Sequence, residues 1–147
     1  MTASAIENLS QALMETNITE LNLALNPFGN LGLDLLIKTL KKPACSLNSL
    51  NISETKINGI GLHNLVSNLK SIRLQHITLD KNDLRLKHMS FLSHLLTSGM
   101  VSLSMRDCNL GDDACSYIAD ALKYAKRIKV LSLAKNNLSD MTAKAIF

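Results

Sequence analysis

Four charged residues recur along the chain at nearly equal intervals: Glu54, Lys81, Asp107 and Lys135. Their signs alternate, and Asp80 and Arg106 stand beside them. On neighbouring parallel strands about 4.8 Å apart, each of these charges has an opposite one next to it, and Asp80 is expected to meet Arg106. This is the chemistry of recognition, not of bond-making. Two readings compete. In one, the row is a self-neutralised ladder across strands. In the other, it is a polar binding surface centred on Asp80, Lys81, Arg106 and Asp107, because exposed pairs are weak and re-pair readily with a partner. A second row, Asn22, Asn51, Thr78, Ser104 and Ser132, is small, polar and uncharged. Neither row holds an aromatic residue, although protein hot spots favour Trp, Tyr and Arg.

Catalysis and metal binding have weaker footing. His63, His76, His88 and His94 share no i, i+4 helical face, and no Cys or carboxylate completes a ligand set. No metal and no other cofactor is expected. His76 and Asp80 point the same way if they share a strand. No Ser, Thr or Cys nucleophile with an oxyanion site accompanies them, so the chain reads as a non-enzyme. Nothing near Cys108 in sequence would lower its pKa, which makes it a buried structural residue and not a reactive thiol. Lys123, Lys126, Arg127 and Lys129 form the densest basic cluster. Solvation and compensation of a helix C-terminus explain it. Without a stacking platform or a Gly-rich phosphate loop, nucleic acid is not an expected partner.

A repeat must position these residues. From Ile18, apolar residues fall at positions 1, 4 and 6 (Ile18, Leu21, Leu23), then at 11, 19 and 23 (Phe28, Leu36, Leu40), with Asn26 at 9 and Gly32 at 15. The first part has the period of a strand and the last part that of a helix. The template returns at Leu47, Leu74, Met100 and Ile128, with spacings of 29, 27, 26 and 28 residues, a period that marks a repeat architecture. Strands are expected near 20–24, 49–53, 76–80, 102–106 and 130–134. The ninth position reads Asn26, Thr55, Asn82, Cys108, Asn136.

This pattern resembles the leucine-rich repeat, and its spacing is most similar to the ribonuclease-inhibitor type. The resemblance covers Ile18 to the C-terminus. It implies an α/β fold, a right-handed solenoid with a curved parallel sheet inside and helices outside. It also implies that the ninth-position column turns inward to satisfy backbone groups. A cap at residues 1–17 is expected before units 18–46, 47–73, 74–99, 100–127 and an incomplete 128–147. Such folds grip partners on the concave sheet, which here presents Asn51, Glu54, Thr78, Asp80, Lys81, Ser104, Arg106 and Asp107. The expected role is a non-catalytic module for a protein or peptide partner, with a bacterial effector as one variant. The alternatives are a regulator of a small GTPase acting through Arg85 or Arg106, or the recognition part of a larger receptor or ligase.

Composition agrees with a soluble repeat. The chain is 46% hydrophobic with no Trp, and its net charge of +4 is too small to imply nucleic acid by itself. No run of 18 apolar residues is present, so no membrane span is expected. Three Cys, an odd number, together with the absence of a signal-like N-terminus, argue for reduced thiols and a cytoplasmic setting.

Local signals complete the expectations. Ser4 with Glu7 reads as a capping box, and Ile6, Leu9 and Leu13 line one helical face. Asn30, Asn58, Asp112 and Ser139 are expected to cap helices, which end at Lys41, Lys42, Lys70 and Lys123. Gly32 and Gly61 are expected to let helix approach strand, and His88, at the same position, to distort the third unit. The last unit has no polar closing element. Its apolar end is expected to continue into a longer array or to pack on another copy of the chain.

Overall fold

The computed structural model describes residues 3–140 together with Lys144. Strands β1 (Glu20–Asn22), β2 (Ser49–Asn51), β3 (His76–Thr78), β4 (Ser102–Ser104) and β5 (Val130–Ser132) form one parallel sheet in sequence order. Leu21, Leu50, Ile77, Leu103 and Leu131 stand opposite one another across it. Equal spacing has this consequence because a slip of one residue would turn every leucine to the wrong face. The molecule is an α/β repeat solenoid. Its strands hold three residues each, shorter than the expected five, but the backbone ladder runs on. Leu23 N donates to Asn51 O at 2.8 Å, Ile52 N to Thr78 O at 2.9 Å, and Leu79 N to Ser104 O at 2.9 Å.

On the other side run α1 (Ala3–Glu15), α2 (Gly29–Leu40), α3 (Gly59–Asn68, continued by a 3-10 turn at Leu69–Ser71), α4 (Leu92–Thr97) and α5 (Asp112–Leu122). Helix α1 packs on α2 and buries Ile6 and Leu13, with Leu9 partly covered. The helix already includes Ala3, so Ser4 lies inside its first turn and not at its boundary. Between the sheet and the helices a continuous core buries Leu50, Ile52, Leu79, Leu103 and Met105. Ile128, Leu131 and Leu133 are only partly buried, whereas their counterparts Met100, Leu103 and Met105 are fully buried. Thr142 and Ile146, which take positions 15 and 19 of the fifth unit's template, lie outside the described residues.

The ninth-position column carries the loop, as expected. Asn82 is almost fully buried. Its Oδ1 accepts from Thr55 N (3.1 Å) and Ile57 N (3.2 Å), while its Nδ2 donates to Ile52 O (2.9 Å) and Leu79 O (2.8 Å). Asn136 does the same for Cys108 N, Leu110 N, Met105 O and Leu133 O. Each of these asparagines therefore sews its own unit to the one before it. The residues between them make fewer bonds: Thr55 Oγ1 donates to Ile52 O of its own unit (2.8 Å), and Cys108 Sγ reaches Leu79 O of the unit before it (3.4 Å).

Helix starts depart from expectation in an ordered way. Asn58 does cap α3, accepting from Ile60 N and Gly61 N. Asn30 lies inside α2 and instead accepts from Asn58 N at 3.1 Å while donating to Asn58 Oδ1 at 2.8 Å. Asp112 begins α5 and accepts from Ser139 N at 2.9 Å. Both are one residue too late in their units to cap their own helix, and the register delivers them to the next one. Gly32 and Gly61 do not serve a helix–strand approach. A Cβ on Gly32 would strike Phe28 at 2.6 Å, and one on Gly61 would strike the Asn30 side chain and Ile57.

The third unit breaks the pattern, as His88 implies. Residues 82–89 are not helical, and α4 has only six residues. Position 12 there is Arg85, which cannot cap as Asn58 does, and His88 adopts a left-handed φ of 59° with its side chain exposed.

Candidate functional site

The concave face is built from strand residues that point away from the core. At its N-terminal end the polar side chains turn back on their own backbone: Asn22 Oδ1 accepts from Ala24 N (3.0 Å), and Asn51 Oδ1 from Ser53 N (3.1 Å) and Ser53 Oγ (2.7 Å). In the fourth unit the corresponding residue is Ser104, too short to fold back in this way. Asp80 of the third unit takes over, its Oδ1 accepting from Ser104 Oγ (2.6 Å) and from Arg106 N (2.9 Å). Asp80 thus meets Arg106 through the backbone amide and not through the guanidinium. The Arg106 head is left exposed.

The alternating row is only partly a ladder. Lys81 Nζ lies 2.9 Å from Glu54 Oε1. That hydrogen bond first, and the Glu54 charge second, hold the Lys81 pKa above its usual value. Among the described residues, Asp107 makes no ion pair with Lys81 or Lys135. Leu25, Glu54, Lys81, Asp107 and Lys135 all have φ between 54° and 66°. The row therefore sits on a left-handed corner just past the strand end, and its amides still donate to the next unit, Glu54 N to Asp80 O and Lys81 N to Arg106 O. Sequence reasoning missed this, because the corner shows no glycine to announce it.

The sequence-derived set falls into three groups. Asp80, Ser104 and Arg106 are brought together by hydrogen bonds, and Glu54 and Lys81 by an ion pair. Asn51 faces its own turn, Thr78 is half-buried on the central strand, and Asp107 is exposed. Arg85 is not free: its guanidinium grips Asp83 through two bonds of 2.8 and 2.6 Å, which lowers the Asp83 pKa to about 2. Cys108 and Cys115 are buried, and burial pushes both thiols up to about 11, so they remain protonated at neutral pH. No group of three or more His, Cys, Asp or Glu among the described residues is placed to hold a metal. His63 instead meets Phe91 edge-on, with ring centroids 4.9 Å apart.

A second depression, with no counterpart in the sequence reading, opens on the helix side. It measures about 810 Å³ and lies between the non-helical stretch of the third unit and the first turns of α5. Leu86, Met89 and Tyr117 line it together with Lys87, His88 and Asp113.

A family model described as Leucine Rich repeat matches residues 16–36 and 100–119. The chain is similar to NACHT, LRR and PYD domains-containing protein 13 of Homo sapiens, 28% identical over 99% of this chain and 14% of that protein. It is 31% identical to NACHT, LRR and PYD domains-containing protein 14 of Mus musculus, over 95% of this chain and 15% of that protein. Ribonuclease inhibitor of Sus scrofa is 25% identical over 88% of this chain and 29% of that protein. The chain thus spans a small part of the length of these relatives. The tropomodulin C-terminal domain of Caenorhabditis elegans superposes with a TM-score of 0.73 at 14% identity, covering 98% of this chain and 88% of that one. That likeness is one of fold alone. No helix among the described residues is long and apolar enough to cross a membrane.

Proposed function

Since the chain is a leucine-rich repeat protein of the ribonuclease-inhibitor-like kind, we propose that it is a non-catalytic module, cytoplasmic, that holds a protein or peptide partner on its concave sheet. Asn51, Glu54, Thr78, Asp80, Lys81, Ser104, Arg106 and Asp107 form the contact surface. One observation carries this reading. Asp80 fixes Ser104 and the Arg106 backbone by two hydrogen bonds, yet leaves the guanidinium exposed. The surface is ordered before a partner arrives, so less entropy is lost on binding. Its uncommitted groups, Arg106 and Asp107, are charges that choose partners by complementarity.

The test is capture of partners from a native lysate, repeated with Lys81→Glu combined with Arg106→Glu. Both side chains are exposed, so the fold loses about 1 kcal/mol or less. Capture falls at least about fivefold if these heads face the partner. Undiminished capture by a folded double variant removes the concave centre as the contact surface.

A second reading has one observation in its favour: the relatives containing NACHT and PYD domains are several times longer than this chain. In that reading the array is the recognition part of a larger receptor. In the GTPase-regulator alternative, Arg85 would have to give up its exposed pairing with Asp83, whereas Arg106 carries no ion pair among the described residues. The mammalian relatives lend no support to the bacterial-effector variant.

A further inference from the structure

We propose that the groove between the third unit's non-helical stretch and the start of α5 holds an extended peptide in which a bulky apolar residue lies between an acidic and a basic one. Its volume of about 810 Å³ falls within the range of roughly 300–1,000 Å³ typical of ligand sites. Half-buried Leu86, nearly buried Met89 and half-buried Tyr117 supply apolar surface for one large side chain.

The two walls carry opposite charge. Exposed Lys87 stands on the third-unit side, with His88 next to it, and exposed Asp113 stands on the α5 side. The neighbouring charges are already engaged, Arg85 with Asp83 and Asp112 with Ser139 N. Among the described residues neither Lys87 nor Asp113 takes part in an ion pair. A ligand of one sign would meet one favourable wall and one repulsive wall. A peptide crossing the groove with its acid toward Lys87 and its base toward Asp113 satisfies both, while its central side chain covers Tyr117 and Met89. None of these residues belongs to the concave surface, so the inference stands or falls separately from the proposed function.

The test uses four fluorescein-labelled peptides and the full chain, read by fluorescence polarisation. The parent is Gly-Glu-Leu-Lys-Gly, blocked at both ends. The others replace its Lys by Glu, its Glu by Lys, or its Leu by Gly. The parent binds best, each like-charged peptide about fivefold more weakly, and the glycine peptide weakest. Lys87→Glu then shifts the preference to the two-lysine peptide, and Asp113→Lys shifts it to the two-glutamate peptide. Both substitutions are at exposed sites, and thermal melting checks that each variant folds. A ranking untouched by both reversals overturns the proposal, as does no saturable binding of the parent up to about 1 mM. Concentration-dependent dimerisation that excludes the parent peptide also overturns it, since the occupant is then a second copy of the chain.

Discussion

The second and third units are consecutive copies of one template, and they agree in one half and disagree in the other. Their strands pair in the same register, Leu50 with Ile77, and both turn left-handed at the same corner, Glu54 and Lys81. Their helices differ: α3 has ten residues capped by Asn58, whereas α4 has six and no side-chain cap. The strand half is held from both sides by neighbours through ladder bonds and the Asn82 bridge, so a unit has no freedom to deviate. The helix half depends on its own cap and first turn, and one poor choice there unwinds it. Stacking therefore enforces the inner wall and tolerates variation outside, which is where the groove arises.

The largest expected effect breaks the enforced half. Asn82→Ala leaves the amides of Thr55 and Ile57 without their partner and takes one of two donors from the carbonyls of Ile52 and Leu79, which keep Thr55 Oγ1 and Cys108 Sγ. At about 1–3 kcal/mol for a buried group left unsatisfied, partly relieved by water, the loss is expected near 3–5 kcal/mol. Asn58→Ala, which removes a cap in the other half, is expected to cost about 1 kcal/mol. Urea denaturation of the two variants measures the contrast directly. Equal losses would mean that the ladder does not hold the units more firmly than the caps do.

A middle-sized effect tests the seam between the two units. The third unit's stretch lies directly against Gly59, where a Cβ would meet Leu86 Cβ at 2.6 Å and the carbonyl oxygens of Leu84 and Arg85 at 2.7 Å. Two of those atoms are backbone, so the stretch must move bodily. Gly59→Ala is expected to destabilise by about 1–3 kcal/mol, with amide chemical-shift changes concentrated in residues 84–89. Changes spread evenly through the chain would show that the stretch is not a separately deformable part.

How far the sequence reveals the molecule follows the same division. The sheet, its order and its register were legible because apolar alternation repeats at fixed spacing, and only one pairing buries Leu21, Leu50, Ile77 and Leu103 together. The role of the ninth-position asparagines was legible through the family resemblance. The Asp80 link to the Arg106 amide was not, since it depends on Ser104 being one atom group too short to make the turn that Asn51 makes. The left-handed row was hidden because charged residues occupy a conformation usually marked by Gly or Asn. The distortion at His88 was legible, but its product, a groove facing α5, was not. That groove needs the positions of two units at once, and no single segment carries its signal.

The smallest effect asks whether the third unit's irregularity is under strain. His88 holds φ at 59°, a region costing an ordinary L-residue roughly 1–2 kcal/mol relative to glycine. Glycine in turn raises the entropy of the unfolded chain by roughly 0.5–1 kcal/mol. His88→Gly should therefore be stabilising by a few tenths of a kcal/mol to about 1 kcal/mol, seen as a small rise in the urea midpoint. Lys81→Gly, at φ 55° in the enforced half, makes the same exchange but also loses the Glu54 ion pair, worth about 0.2–1 kcal/mol. It should come out near neutral. A destabilising His88→Gly would mean that the imidazole makes contacts that outweigh its backbone strain, and the stretch would then have to be regarded as built for its shape and not left over from a lost helix turn.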